Sequence, residues 1–67
     1  MAKEYREVRA ILRRHGWRVI RQRGSDETWR GPGGRQTTVP GAGDGSSDVP
    51  VGTLASIRRA TGIKELR

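Results

Sequence analysis

The first regular pattern along the chain is a helical repeat of apolar positions. Its members lie three or four residues apart and are Tyr5, Val8, Ile11 and Leu12. This spacing puts them on one face of an amphipathic helix, which the pattern predicts over residues 3–15. Gly16 follows directly, and glycine commonly follows the last turn of a helix because it adopts the left-handed conformation without strain. We therefore predict a first helix that ends at Gly16.

Three short runs rich in β-branched, aromatic and polar residues come next. They cover residues 17–22, 26–30 and 35–39. Turn segments that contain glycine, serine or proline separate the runs, which is typical of short strands. The connections Arg23-Gly24-Ser25 and Gly31-Pro32-Gly33-Gly34 are too short for a crossover between parallel strands. The pattern therefore predicts an antiparallel meander of three strands that ends at Pro40.

The last third of the chain predicts a loop and a second helix. Residues 41–48 contain almost no apolar side chain, so we expect a mobile Gly/Ser loop that contributes nothing to the core. Pro50 suits the first turn of a helix, and Gly62 is the expected stop. The face directed at the core would carry Leu54, Ile57 and Ala60. Residues 63–67 are expected to add an irregular final turn.

The predicted order is helix, three strands and helix, in a single domain over residues 1–67. Both helices can cover one face of a small antiparallel sheet, which is the α+β layout of double-stranded-RNA-binding domains. No stretch approaches the ~20 apolar residues that span a bilayer, and no signal-peptide pattern occurs, so we expect a cytoplasmic protein with no membrane partner. The chain has no cysteine for a disulfide or a thiolate metal site. Its glycine-rich loop lacks the Gly-Lys-Ser/Thr of a phosphate-binding loop, and we expect no cofactor.

The charge of the chain favours a polyanionic partner. Fourteen Lys and Arg residues oppose seven Asp and Glu residues, which gives a net charge of +7. Twelve of these cations are Arg, whose planar guanidinium binds phosphate and stacks on bases, so RNA is the first candidate. An anionic membrane is the weaker alternative, because no long helix has a wide apolar face. In the first helix, Arg6, Arg9 and Arg13 form a stripe that fits a solvated face and RNA contact equally well.

Four segments of the chain carry a resemblance that covers nearly its whole length. They are His15-Gly16-Trp17 at the end of the first helix, Arg23-Gly24-Ser25 with Trp29, Gly34-Arg35 leading to Thr38-Val39-Pro40, and Val49-Pro50-Val51-Gly52-Thr53-Leu54 with Ser56-Ile57. In order and spacing they resemble the HicA family of toxins, the messenger-RNA interferases that a partner antitoxin, HicB, inhibits. The resemblance implies an α-β-β-β-α fold, metal-independent endoribonuclease activity on messenger RNA, and a HicB-like antitoxin as the protein partner.

The resemblance also marks a catalytic position. The family usually has histidine directly after the glycine and serine of the second segment, and this chain has Gly24, Ser25 and Asp26 there. A histidine with a pKa of ~6.5 suits proton transfer near neutral pH, whereas an aspartate with a pKa of ~3.9 is a poor acid and a weak base. A carboxylate at this position also repels the phosphate of the substrate. We therefore expect catalysis by this chain to be impaired or absent.

The leading hypothesis is a HicA-like toxin that binds RNA through arginines around Asp26. The proposed RNA-binding residues are Arg18, Arg21, Arg23, Arg30 and Arg35. The rival hypothesis is a non-enzymatic RNA-binding or antitoxin-binding domain that keeps the fold and has lost the chemistry. Toxicity of the chain on expression separates the two hypotheses.

Other residues that could carry chemistry have simpler explanations. His15, the only histidine, lies near the end of the first helix, where a cation stabilises the helix dipole, and this role is favoured over catalysis. Asp26 and Glu27 could suggest a metal site, but neighbours in a strand point to opposite faces. Trp17 is expected in the core because the chain has no Phe and needs another large apolar residue there. For Trp29, a core position and stacking on RNA bases are equally compatible with the sequence.

Overall fold

The computed structural model of the chain describes residues 3–40 and 45–67. Its elements are α1 (Tyr5–Arg14), β1 (Arg18–Arg23), β2 (Asp26–Arg30), a 3-10 turn (Pro32–Gly34), β3 (Gln36–Val39) and α2 (Val51–Thr61). The strands form one antiparallel sheet in the order β1-β2-β3. The predicted α+β fold and its meander are confirmed, and β2 has the predicted bounds. The ends of the other helices and strands lie within two residues of the predicted ones.

The predicted end of the first helix is confirmed in detail. Gly16 adopts a left-handed φ of +84°, and its N–H donates to the carbonyl of Arg13 at 3.0 Å. The N–H of Trp17 donates to the carbonyl of Leu12 at 2.9 Å, which completes a Schellman motif. The motif turns the chain back over α1, so Trp17 packs into the core before β1 begins at Arg18. This explains why the predicted strand started one residue too early.

Residues 45–48 correct the prediction of a mobile loop over residues 41–48. The carbonyl of Ser47 accepts the N–H of Tyr5 at 3.0 Å, and the carbonyl of Gly45 accepts the N–H of Arg6 at 3.0 Å. The first N–H groups of a helix have no partner within the helix, so this segment satisfies donors that would otherwise need water or a capping side chain. It is therefore anchored to the start of α1. The other half of the predicted loop, residues 41–44, lies outside the described residues.

The core is a single apolar cluster between the helices and one face of the sheet. Its members are Tyr5, Val8, Ile11, Leu12, Trp17, Trp29, Val39, Val49, Leu54, Ile57, Ile63 and Leu66. Trp17 is a core residue as predicted, and Trp29, for which the sequence allows either a core position or base stacking, is fully buried at 0% exposure. Gly31 gives the Trp17 indole room, because a Cβ on this glycine would lie only 2.2 Å from the ring. Both helices and the chain beyond α2 thus pack on the sheet face that carries Trp29.

The second helix departs from prediction at its start. Pro50 occupies the N-cap position rather than the first turn, and the helix begins at Val51. Gly62 ends it as predicted, with a left-handed φ of 73° and its N–H bonded to the carbonyl of Arg58 at 2.8 Å. The expected irregular turn is present at residues 64–65, where the N–H of Leu66 donates to the carbonyl of Ile63 at 3.2 Å, and it also extends the core because Ile63 and Leu66 are buried. The pattern of the sequence does not indicate that this pair, spaced by three residues, packs into the core.

Candidate functional site

The turn between β1 and β2 presents the position marked by the family resemblance. Gly24 and Ser25 are the two turn residues, and Gly24 has a left-handed φ of +56°. Glycine at the first position of a two-residue hairpin turn matches the twist of the flanking strands without steric cost. Asp26 follows as the first residue of β2, exposed and paired with Arg23. The turn therefore holds Asp26 at the tip of a short, well-defined hairpin.

The two faces of β2 have opposite character. Asp26 and Arg30 are exposed, whereas Glu27 and Trp29 are buried on the helix side. The buried carboxylate of Glu27 accepts hydrogen bonds from the Arg9 guanidinium and the Trp29 indole, each at 3.2 Å. Asp26 and Glu27 therefore point to opposite faces, which is the arrangement expected for strand neighbours. Within residues 3–40 and 45–67, no three His, Asp or Glu side chains come together as potential metal ligands.

Four of the five predicted RNA-binding arginines share the face of Asp26. The pairing of β1 with β2 places Arg18 opposite Arg30, Arg21 opposite Thr28 and Arg23 opposite Asp26. Directly paired residues in an antiparallel sheet project from the same face. Because Trp29 and Glu27 project toward the helices, these pairs project away from them. We name this surface the arginine face and define it as Arg18, Arg21, Arg23 and Arg30.

No carboxylate of the described chain forms a salt bridge with an arginine of the arginine face. The ion pairs join Glu4 to Arg6 (2.9 Å), Glu27 to Arg9 (3.2 Å), and Glu65 to Arg14 (2.9 Å) and His15 (2.8 Å). All of these cations lie in α1 or directly after it, so the acidic residues screen the helix and leave the sheet unscreened. Asp26 is the one acidic side chain on the arginine face within the described residues. The result is an exposed basic surface with an isolated carboxylate at one end.

The arginine stripe predicted on α1 serves the fold at two of its positions. The Arg9 guanidinium binds the buried Glu27, and the Arg13 guanidinium lies 5.4 Å from the centroid of the Trp29 ring. A cation over an aromatic face is attracted by its quadrupole. Both contacts join α1 to β2 behind the arginine face. Arg9 and Arg13 are therefore neither simply solvated nor available as predicted for RNA contact. The helical spacing alone did not indicate that they contact Glu27 and Trp29.

Arg35, the fifth predicted RNA-binding residue, lies apart from the other four. It precedes β3 and lines a depression of about 240 Å³ together with His15, Trp17, Pro32, Thr61, Gly62 and Ile63. Its neighbour Gln36 pairs with Arg30 on the arginine face, so alternation directs Arg35 to the helix side. The structure therefore brings together Arg18, Arg21, Arg23 and Arg30 and does not bring Arg35 to them.

The only histidine is at the opposite end of the sheet from Asp26. The sheet hairpin turns at Gly24, whereas His15 lies beside the start of β1, and the Nε2 atom of His15 bonds Oε1 of Glu65 at 2.8 Å. His15 is the C-cap residue of α1, and its ring binds the C-terminal segment rather than the last carbonyls of the helix. It therefore lies far from Asp26 along the sheet. Its placement fits a structural role, as the sequence favoured.

The contact between His15 and Glu65 carries a prediction about pH. The hydrogen bond from His15, with a further contribution from Arg14, lowers the pKa of the Glu65 carboxyl from its ordinary value of 4.5. A carboxyl with a lowered pKa stabilises the fold above its ordinary pKa and loses that contribution as the pH falls through the lowered value. We expect Glu65→Gln to cost a small amount of stability at neutral pH and progressively less below pH 4.5. Urea denaturation of both proteins across this range measures the difference, and a difference independent of pH would contradict it.

The three aromatic residues of the chain are all withdrawn from the surface. Tyr5 is 6% exposed, Trp17 is 5% exposed and Trp29 is 0% exposed. The chain has no other aromatic side chain except that of His15. Stacking of unpaired bases on aromatic platforms, which many single-strand binders use, therefore has no platform on the arginine face. What this face offers to a ligand is guanidinium, hydroxyl and amide groups.

Comparison with known proteins places these features in a family. The family model described as the HicA toxin of bacterial toxin–antitoxin systems matches residues 5–63 of the 67. The match begins at the first residue of α1, includes all three strands and ends just after α2. A search among curated proteins gives no match to the chain. Neither helix of the described chain is long and apolar enough to cross a bilayer.

Proposed function

The chain belongs to the HicA family of bacterial toxin–antitoxin toxins, and we propose that it binds messenger RNA on the arginine face and has weakened endoribonuclease activity. The observation that carries the proposal is the convergence of four arginines, none of them in a salt bridge, on the face that presents Asp26. Phosphate contacts from such a surface fix an RNA strand in place without reading its bases. The strand would pass over the hairpin turn at Gly24 and Ser25. We expect this binding to take place in the cytoplasm.

Cleavage of RNA without a metal requires three contributions. A base must accept the proton of the ribose 2′-hydroxyl, an acid must protonate the leaving oxygen, and cations must stabilise the charge that develops on the phosphate. The arginine face can supply the cations. Asp26 stands where the family has its proton carrier, and an exposed carboxylate transfers protons poorly near neutral pH. We therefore assign Asp26, with Ser25 and Gly24 of the turn, to the catalytic position and expect the chemical step to be slow.

We assign the protein partner to the HicB class of antitoxins. Inhibition would follow from an acidic surface of the antitoxin that covers Gly24, Ser25 and Asp26 and neutralises the arginine face. Complementary charge of this kind mainly speeds association and selects the partner. A complex that leaves Asp26 and the neighbouring arginines open to solvent would contradict this assignment.

A second function is favoured by one observation, the unpaired carboxylate of Asp26 beside the path proposed for RNA. A chain with no proton carrier there could act only by binding, either to RNA or by occupying an antitoxin. Expression of the chain without an antitoxin separates these functions. Growth arrest supports the toxin, whereas normal growth together with measurable RNA or antitoxin binding supports the binding domain.

The proposed RNA contacts predict a steep dependence of affinity on salt. If the four arginines each contact one phosphate of a single strand, the slope of log affinity against log salt is about 3, at ~0.7 for each contact. Replacing Arg21 with Gln should reduce the slope by about 0.7 and weaken binding to all sequences alike. Fluorescence anisotropy with short unstructured RNAs at several salt concentrations measures both effects.

Arg59→Gln is the matched control, because this exposed residue of α2 contributes the same charge away from the arginine face. It should leave the slope unchanged, and Arg35→Gln should behave in the same way because Arg35 lies apart. If Arg59→Gln reduced the slope as much as Arg21→Gln, net charge rather than the arginine face would determine binding. An affinity independent of salt would remove the electrostatic basis of the proposal.

A further inference from the structure

β1 is an edge strand with an open outer side. It is the first strand in the order β1-β2-β3, and every one of its six residues is exposed. In the described part of the chain, its backbone pairs with β2 and with no other strand. The N–H and C=O groups along its outer edge can therefore accept another extended segment. We propose that this edge binds an extended segment of the antitoxin in which acidic and apolar residues alternate, an inference that rests on the proposed toxin function.

The edge of β1 also carries the apolar anchors that such a segment needs. Val19 is 38% exposed and Ile20 is 45% exposed, and they are two of the three large apolar residues exposed in the described chain. A strand-adding peptide gains affinity from main-chain hydrogen bonds and specificity from side-chain contacts of this kind. The pairing with β2 is irregular between Val19 and Arg21, so Ile20 is the extra residue of a bulge. Two apolar side chains are thus clustered at the middle of the edge.

The charge of β1 decides between the possible occupants. Arg18, Arg21 and Arg23 are spread along its six residues, and no acidic residue lies among them. A second copy of this chain paired along β1 would bring two such rows together, and like charges across a strand pair are destabilising. Basic side chains on an edge strand are a common protection against pairing with identical chains. An acidic segment paired along β1 is instead attracted, because each arginine can lie opposite a carboxylate.

The geometry of strand addition links this contact to inhibition. A strand added to β1 continues the pleat of the sheet, so its alternate side chains project on the arginine face. The acidic residues of the segment would lie there, next to Arg18, Arg21 and Arg23. The apolar residues between them would lie on the side of Val19. The bound segment would therefore occupy with its own carboxylates the positions that we assign to RNA phosphates, and the two ligands would exclude each other.

Amide hydrogen exchange measured by NMR tests the proposal on the full chain, free and in complex with a HicB-type antitoxin. Amides of β1 that face β2 are already hydrogen-bonded, so strand addition should newly protect the alternate, outward-facing amides within residues 18–23. Residues 36–39 of β3 serve as the internal control and should keep their exchange rates. Ile20→Asp should weaken the complex roughly tenfold through lost apolar contact and charge repulsion. Val51→Asp, at the most exposed apolar residue, should leave the affinity unchanged.

Four results would overturn the proposal, and each of them refutes a different part of it. A complex in which residues 18–23 exchange as they do in the free chain would refute the edge contact and leave the antitoxin assignment intact. Absence of any complex would refute the antitoxin assignment itself. Concentration-dependent dimers of the free chain, abolished by Ile20→Asp, would make a second copy the occupant. Protection of the outward amides by RNA alone would show that the edge serves RNA.

Discussion

Replacing Asp26 with histidine is expected to raise the rate of RNA cleavage by ~10²–10⁴-fold, the usual contribution of one positioned general acid or base. The turn at Gly24 and Ser25 already presents position 26 at the start of β2, and the arginine face already supplies cations. Histidine has an unperturbed pKa of ~6.5 and can therefore exchange protons near neutral pH. The assay uses purified protein on RNA in the presence of a chelator, so that metal-dependent contaminants do not contribute. The same substitution should cause growth arrest that a HicB-type antitoxin relieves.

Protein stability and a second histidine variant serve as controls for this prediction. Asp26 is exposed, so the substitution should change stability by less than ~0.5 kcal/mol, and activity gained cannot be ascribed to better folding. Thr38→His places an imidazole at another exposed position on the same side of the sheet and should gain no activity. A folded Asp26→His protein that neither cleaves RNA nor arrests growth would show that the family mechanism does not extend to this chain. Comparable cleavage by the chain with Asp26 would show that the catalytic position is elsewhere.

Replacing Trp29 with alanine is expected to cost ~3–5 kcal/mol of stability, the range for large aromatic residues in a core. Trp29 is the largest fully buried side chain, and it contacts the Glu27 carboxylate through its indole N–H and the Arg13 guanidinium through its ring. Its loss leaves a cavity and removes one donor from a buried carboxylate. Domains carry roughly 0.05–0.15 kcal/mol of stability for each residue, about 3–10 kcal/mol for a chain of 67 residues, so the substitution would remove a large part of the total stability.

Urea denaturation followed by far-ultraviolet circular dichroism measures the loss, and Trp17 remains as a fluorescent reporter of the core. Thr38→Ala, an exposed substitution in the neighbouring strand, is the control and should change stability by no more than ~0.5 kcal/mol. A stability of Trp29→Ala close to that of the unmodified chain would mean that the core does not depend on the contact between α1 and β2 through this residue.

The helices and strands were predictable because local patterns determine them. Glycine after the last apolar turn gave the end of α1, and short turns rich in glycine gave the antiparallel sheet. The contributions of residues 45–48, Ile63 and Leu66 were missed for a physical reason. A glycine- and serine-rich segment carries no apolar signal, yet its carbonyls can cap a helix that is distant in the sequence. An isolated apolar pair likewise has no period from which packing could be inferred.

The candidate site was predictable in part. Family resemblance gave the position of Asp26, and charge gave the arginines as a set. Which arginines act together depends on strand register, and register is a property of pairing across the sheet. Once the pairs are known, Arg18, Arg21, Arg23 and Arg30 lie on one face and Arg35 lies on the other. The partners of Arg9 and Arg13 depend on the packing of α1 on β2, which no local pattern contains.

NMR tests most directly whether RNA binds to the arginine face. The measurement is titration of the labelled chain with a short unstructured RNA, followed through backbone amide signals and arginine side-chain signals. We expect the largest changes at Arg18, Arg21, Arg23 and Arg30 and at the turn from Gly24 to Asp26, with small changes in α2 and around the depression that holds His15 and Arg35. Changes concentrated on the helices or in that depression, with the arginine face unaffected, would contradict the proposed site and with it the proposed mode of RNA binding.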